Sequence, residues 1–449
     1  VRVAVACVAL LFLALGASAS ATSGSFDRTW GKDVIGGGAT GYEICAVAAF
    51  CKQGEIGVQN GEFKHPTDAA TDSAGNAYVA DEDHRIQKFD AAGTYLSTFG
   101  GPGDLGGQFV FPQGVAVDAA GNVYVADENQ RITKFSPAGA FQAAWGKDVV
   151  LGNAEMGFET CVSANLCKSG LFGTLGGELK HPGGLATDAT GVYVADKGNH
   201  RVQKFSFSGA FLGAWGKDVS VGGILVDAEI CTDRLDCKQG EVGGAGGEFN
   251  QPEDVAADGA GHVYISELSN NRVQKFDSAG NFERAWGQDV VQPMQPGNLG
   301  TGPEICTVKT ACKAGSAGGF AGGDVPGPRS VAVDSAGFVY AGDSIHRIQK
   351  FDSAGDFLVA FGSLGTAAGQ FDTPEGLGAG AGAGESLFVA DYGNNRAQKF
   401  ADPPLPPVTI PAVALFDLRA AVKRCKKKFP KGSKKRKKCI KKARARAGA

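Results

Sequence analysis

The residues with the most chemistry in them are the 11 cysteines. Ten fall into five local pairs: Cys45 with Cys51, Cys161 with Cys167, Cys231 with Cys237, Cys306 with Cys312 and Cys425 with Cys439. Thiols this close in sequence either close disulfides or hold a metal. Four pairs share a spacing of five intervening residues, and no histidine stands at short range to complete a four-ligand zinc site. An even number in regular pairs reads as disulfides formed in an oxidising compartment. The histidines offer less. His65 and His181 each precede a proline, and two imidazoles without a third are a weak metal set. His84, His200 and His346 each precede an arginine, where Gln130, Asn271 and Asn395 stand elsewhere in the chain, so they read as scaffold. There is no Gly-x-Ser-x-Gly elbow and no Gly-rich turn opening a helix to cradle phosphate. No catalytic residue is named on this basis and no cofactor is called for, with bound Ca²⁺ left open.

Whatever these residues do depends on what positions them. Residues 107–146 hold four short apolar runs in which Val, Tyr and Phe alternate with polar residues, separated by Ala-Gly-Asn and Pro-Ala-Gly bends. That is the pattern of a four-stranded antiparallel meander. One such sheet cannot bury both faces alone, so stacked copies are required. Aligning on the end of the second strand places Asp81, Asp127, Asp196, Glu267, Asp343 and Asp391 at one position, giving six copies. Each is led by a proline (Pro66, Pro112, Pro182, Pro252, Pro328, Pro374), and each third strand opens on an arginine (Arg85, Arg131, Arg201, Arg272, Arg347, Arg396). A phenylalanine follows four positions later, as in Asn-His-Arg-Val-Gln-Lys-Phe at 199–205.

These anchors resemble the NHL repeat family, over nearly all of residues 25–400. The resemblance implies an all-β fold, a six-bladed β-propeller of four-stranded antiparallel blades. Ring closure has separate support. The sixth copy runs from Phe400 into Asp-Pro-Pro without a fourth strand, while Phe26-Asp-Arg-Thr-Trp30-Gly31 matches the fourth strands Phe282-Glu-Arg-Ala-Trp286-Gly287 and Phe211-Leu-Gly-Ala-Trp215-Gly216. The N-terminal segment is therefore expected to complete the last blade and leave no open edge. Similar propellers include a zinc-centred amidating lyase and calcium-dependent lactone hydrolases, but this chain has neither a three-His set nor any motif specific to them.

Four of the cysteine pairs lie in insertions of about 30 residues that follow a fourth strand. Each insertion has an Asp near its start (Asp33, Asp148, Asp218, Asp289), a Glu two residues before the first cysteine and a Lys just after the second. Long loops poor in apolar residues are functional or disordered, and a local disulfide argues for order. In a meander these insertions, the Asp/Glu-to-Arg turns and the proline-led first strands emerge at one end of the sheet, so the ligand is expected on that face. Residues just after each proline should ring the channel mouth: Thr67 and Asp68, Gln113, Gly183, Glu253 and Asp254, Arg329, and Glu375. Four carboxylates against one guanidinium suit a cation or a partner's basic group. The Asp/Glu–Arg pairs, repeated in every blade, read as structural locks, and Asp72, Asp118, Asp188, Asp258 and Asp334 as caps of the bend after the first strand.

Residues 1–21 read as a signal peptide, with Arg2, an apolar run and Ala17-Ser-Ala19 as a small-residue cleavage site. Export agrees with the cysteines, so the expected location is secreted, extracellular or envelope-associated. Residues 401–411 form a Pro-rich linker. Residues 412–449 are expected to form two short basic helices cross-linked by Cys425 and Cys439. From Leu405 onward there are 16 Lys and Arg against one Asp, so the tail carries +15 and the remainder −18. Lys426, Lys427, Lys428, Lys434, Lys435, Arg436, Lys437 and Lys438 are the residues expected on an anionic surface, either envelope polymer or lipid headgroups. Nucleic acid is opposed by export and by the acidic propeller. The reading is a monomeric binding module for a protein or glycan ligand, with a polybasic anchor. A metal-dependent propeller hydrolase or lyase is the alternative.

Overall fold

The computed structural model describes residues 25–401, except for 39, 154–156, 223–227, 296, 299–301, 318, 320 and 381–385. The chain separates into two units, Val1–Pro404 and Leu405–Ala449. The segments expected to be a signal peptide and a helical tail, with Cys425, Cys439 and the tail lysines, fall outside the described residues, as does the expected linker after Ala401, which itself ends the last strand. Within them there is no α-helix, only 3₁₀ turns between strands.

Six antiparallel sheets form the propeller. Blade one is Pro66–Thr71, Ala77–Asp81, Arg85–Phe89 and Tyr95–Gly100; blade two is Pro112–Val117, Val123–Asp127, Arg131–Phe135 and Phe141–Lys147. Blade three is Pro182–Thr187, Val192–Asp196, Arg201–Phe205 and Phe211–Lys217; blade four is Asp254–Ala257, His262–Glu267, Arg272–Asp277 and Phe282–Gln288. Blade five is Ser330–Val333, Val339–Gly342, Ile348–Phe351 and Phe357–Phe361. Blade six takes Pro374–Ala379, Ser386–Asp391 and Arg396–Ala401 from one end of the chain and Phe26–Lys32 from the other. The closing register sets Phe26 opposite Phe400 and Trp30 opposite Ala397. First strands neighbour one another around the central channel, including those of blades six and one.

Four blades carry a fifth strand that was not expected. Tyr42–Cys45, Phe158–Cys161, Ala228–Cys231 and Pro303–Cys306 fold back on the fourth strands of blades six, two, three and four. The bare edge of a fourth strand offers unpaired N–H and C=O groups, and the tetrapeptide ending on each first cysteine takes them up. Disulfides Cys45–Cys51, Cys161–Cys167, Cys231–Cys237 and Cys306–Cys312 then close behind it. Cys45 lies opposite Thr29 and Cys161 opposite Ala144, in the middle of the fourth strands. The insertions therefore leave from the expected end but bend down the outer flank, so their disulfides brace the circumference instead of crowning the mouth. Each insertion Glu accepts from a backbone N–H of its own loop, as Glu43 does from Ile35 N at 2.8 Å. Each insertion Asp pairs with the Lys after the second cysteine, as Asp148 does with Lys168 at 2.8 Å.

One apolar cluster sits between each pair of neighbouring blades, so the ring has six cores. Trp30, Trp145, Trp215 and Trp286 fill the outer parts of four of them. Burying one indole, ~200 Å², contributes on the order of 5 kcal/mol before entropy is counted. The expected locks are present in five blades: Arg201 Nε meets Asp196 at 2.8 Å and Arg272 Nε meets Glu267 at 2.6 Å, all four side chains fully buried. Blade two departs, because Arg131 Nε and Asp127 Oδ1 have no hydrogen-bond partner. The bend caps are as expected, and Tyr124 and Tyr193 also donate to the capping Asp118 and Asp188, at 2.8 and 2.7 Å.

The residue before each third-strand arginine ties blade to blade. His84 Nδ1 accepts from Phe111 N, Gln130 Oε1 from His181 N, and His200 Nδ1 from Gln251 N. Asn271 Oδ1 accepts from Gly327 N, His346 Nδ1 from Thr373 N, and Asn395 Oδ1 from His65 N. The donors all precede the leading proline of the next blade, and all lie in the left-handed region, as His65 does at φ 51°. A residue before proline avoids helical backbone, so this conformation is strained and the clasp holds it. The last of the six closes the ring.

Candidate functional site

The expected mouth residues come together. Thr67, Asp68, Gln113, Gly183, Glu253, Asp254, Arg329 and Glu375 line one cavity of about 190 Å³ at the end of the channel where the prolines lie. They converge because each leading proline starts the innermost strand of its blade or stands two residues before it, which brings the next two residues to the channel end. Below them the channel is walled by small and branched apolar residues of the first strands, such as Ala70, Val117 and Val333.

Three further ionisable residues line the cavity: Glu128, His181 and Lys197. Glu128 and Lys197 directly follow the anchoring acids Asp127 and Asp196, in the turn between second and third strands. That position varies among blades while its neighbours repeat, which is the signal sequence reasoning passed over. Glu128 and Lys197 offset each other, so the expected acidic balance stands, but the added groups give the rim charges partners. Lys197 Nζ lies 2.6 Å from Glu253, Arg329 Nη1 lies 3.2 Å from Glu375, and His181 Nδ1 lies 3.0 Å from Glu128. Each pair spans two neighbouring blades. Three cross-blade pairs thus stand within the acidic mouth that the residues after each proline suggested.

Asp68 and Asp254 lie deeper, where the mouth narrows into the channel. They are placed three blades apart and are held alike. Asp68 accepts from Ala69 N at 2.7 Å and from Val115 N of blade two at 2.8 Å; Asp254 accepts from Val255 N at 2.8 Å and from Val331 N of blade five at 2.9 Å. First strands have a free edge toward the axis, and these carboxylates take up its N–H groups. Close approach is bought with glycine: a Cβ on Gly184 would stand 1.7 Å from Asp254 Oδ1, and one on Gly376 2.2 Å from Asp68 Cα. Burial pushes the Asp254 carboxyl up to about 7 against the pull of its two N–H donors, with the Glu253 and Glu375 charges adding to the rise. Burial, and then the Asp254 charge, hold Asp68 well above the usual carboxylate range. Glu375 is raised by burial in spite of Arg329.

His65 lies beside the mouth, stacked on Tyr392 at 4.8 Å and bonded to Glu82 at 3.0 Å, while Tyr392 donates to the same Glu82 at 2.8 Å. His65 and His181 are thus each taken by a carboxylate of their own rim. Among the described residues no three His, Cys, Asp or Glu side chains share a geometry that could hold a metal ion. Chemically the mouth can accept and donate several hydrogen bonds and meet both signs of charge; its one hydroxyl, on Thr67, donates to Pro112 O at 2.7 Å.

A family model described as NHL repeat matches residues 109–135, 179–205 and 249–276. The chain is 30% identical over 142 residues to "Protein brain tumor" of Drosophila melanogaster, a match covering 27% of this chain and 14% of that protein. It is 29% identical over 86 residues to "B-box type zinc finger protein ncl-1" of Caenorhabditis elegans, 15% of this chain and 10% of that protein. The match therefore spans a small part of either relative. Among solved structures, a protein of unknown function from Bacteroides thetaiotaomicron aligns over 83% of this chain and 76% of its own, at TM-score 0.43 and 15% identity. The WD40 β-propeller domain of Doa1 aligns over 75% of this chain and 94% of its own, at TM-score 0.39 and 9% identity.

Proposed function

The chain carries NHL repeats in a six-bladed propeller, and from that premise we propose that it recognises a protein segment of mixed charge at the channel mouth. NHL propellers are a type of protein-binding module. The observation that carries the proposal is the contrast between frame and rim. Arginine locks, clasps and bend caps recur from blade to blade, while the six positions after the prolines hold Thr67, Gln113, Gly183, Glu253, Arg329 and Glu375. A scaffold needs sameness, and recognition needs difference. A ligand segment bearing one basic and one acidic side chain would exchange partners with the Lys197–Glu253 and Arg329–Glu375 pairs without leaving a charge uncompensated.

The same proposal places the protein outside the cytoplasm, exported by residues 1–21, with Lys426–Lys428 and Lys434–Lys438 drawing it to anionic envelope polymer or lipid headgroups. Its five cysteine pairs suit that compartment. The test is selection of peptides from a displayed random library on the full-length chain, repeated with Glu253→Gln and Arg329→Gln. Selected peptides should carry both charges and lose at least about tenfold in affinity on each variant. Peptides that bind wild type and both variants equally would place recognition elsewhere. Retention of the exported chain on anionic but not neutral vesicles, lost on deleting residues 412–449, tests the tail.

A further inference from the structure

The outer rim holds a second cavity, between blades three and four, of about 330 Å³. Trp215, Ile230 and Phe282 wall it, Lys309 stands at its edge, and Ala228 and Gly280 line it. The other insertion-bearing blades fill the equivalent place with a side chain. The residue opening the fifth strand is Tyr42 in blade six, Phe158 in blade two and Pro303 in blade four, but Ala228 in blade three. In each case it packs on a glycine of the segment leading to the next blade. A Cβ added to Gly61 would meet the Tyr42 ring at 2.3 Å, and one on Gly177 the Phe158 ring at 2.5 Å, whereas Gly247 meets the Ala228 methyl at 2.9 Å. The surrounding frame is unchanged: Trp215 and Phe276 stand 6.2 Å apart, as Trp145 and Phe205 stand 6.1 Å apart. The cavity is one aromatic side chain cut out of a repeated packing unit. A void of about 150 Å³ already accepts benzene, so this one has room for a ring and a substituent.

Tyr42 also shows which polar atoms such a ring would reach. Its hydroxyl donates to Gly93 O, in the turn that packs on Trp30. The counterpart of Gly93 in blade four is Gly280, which packs on Trp215 and lines the cavity. At the opposite end, where Tyr42 joins its own backbone, the insertion of blade four brings Lys309 Nζ to 2.6 Å from Ala228 O. We propose that this cavity binds a small phenol with an anionic tail para to the hydroxyl. The ring takes the place of the missing side chain, the hydroxyl donates to Gly280 O, and the tail meets Lys309.

The probe is 4-hydroxyphenylacetate, titrated into the full-length protein by calorimetry and by tryptophan fluorescence. Binding of one equivalent is expected. Ala228→Tyr should rebuild the arrangement of blade six, raise the melting temperature and weaken binding at least about 20-fold. Lys309→Gln should weaken 4-hydroxyphenylacetate about tenfold while leaving 4-methylphenol within about twofold. No binding by wild type at about 10 mM, or equal binding by Ala228→Tyr, overturns the proposal.

Discussion

Replacing Arg201 with methionine removes a buried guanidinium that ties three stretches of chain together. Its Nε bonds Asp196 at 2.8 Å, Nη1 bonds Thr174 O at 2.9 Å and Lys238 O at 2.8 Å, and Nη2 bonds Leu175 O and Glu178 O, both at 2.8 Å. Four carbonyls lose a charged donor, but not all are stranded: Glu178 O keeps Gln203 Nε2 at 2.7 Å, and the others lie in surface connections that water can reach. Asp196 keeps Lys180 N, Asn199 Nδ2 and Gln203 Nε2. The expected loss is therefore that of one broken buried pair, about 4 kcal/mol, and not the sum over five bonds. Blade two supplies the control. Arg131 makes the same four carbonyl contacts, to Asp104, Lys168, Leu105 and Gln108, while its Nε has no partner. Arg131→Met should cost less than Arg201→Met by about 1 kcal/mol, the worth of the missing carboxylate bond. Guanidinium unfolding followed by tryptophan fluorescence reads both. If Arg131→Met costs as much as Arg201→Met, or if Arg201→Met costs under about 1 kcal/mol, the lock has been misread.

Asn395→Gly tests the ring-closing clasp: glycine accepts the left-handed backbone at 395 but cannot accept from His65 N, so stability should fall by about 1 kcal/mol, and a variant as stable as wild type would remove the clasp from the account. Replacing Cys231 and Cys237 with serine opens a short ring and should cost about 2 kcal/mol in the chain-entropy model, without changing affinity at the mouth; a loss of mouth binding would contradict the placement of the disulfide on the flank. Asp254 has a pH signature. The unfolded chain releases this proton near pH ~4, but the folded chain keeps it to about 7, so the stability it leaves intact below pH ~4 is lost as pH rises to about 7. Relative to wild type, Asp254→Asn should gain stability across that window in denaturant titrations, and a flat difference would mean that Asp254 is ionised in the fold.

The repeats were legible because their anchors answer to backbone geometry. A proline at the start of the first strand, an acid ending the second and an arginine opening the third recur wherever the same bend must be made. The mouth was half legible for the same reason: Glu253 and Arg329 sit directly after such a proline, and their variation stands out against it. Lys197 and Glu128 escaped because their partners, Glu253 and His181, belong to the next blade, and nothing local in a sequence records how two blades are rotated. The fifth strands escaped because four residues are too few to display a period of two. Ala228 was invisible for another reason: its meaning lies in the space left beside Gly247, which exists only once Tyr42 and Phe158 have been seen in theirs.

The joint in blade six has a cost in time. Phe26–Lys32 leaves the ribosome before Arg396–Ala401, the strand it must pair with, which comes more than three hundred residues later. At ordinary synthesis rates of roughly 5–20 residues per second, that delay is on the order of a minute. Throughout it, Phe26–Lys32 can pair with Tyr42–Cys45 on one edge, but the edge that meets Arg396–Ala401 has no strand to join. An open array of repeats could settle piece by piece from its first unit, but this wheel has to wait for its last spoke.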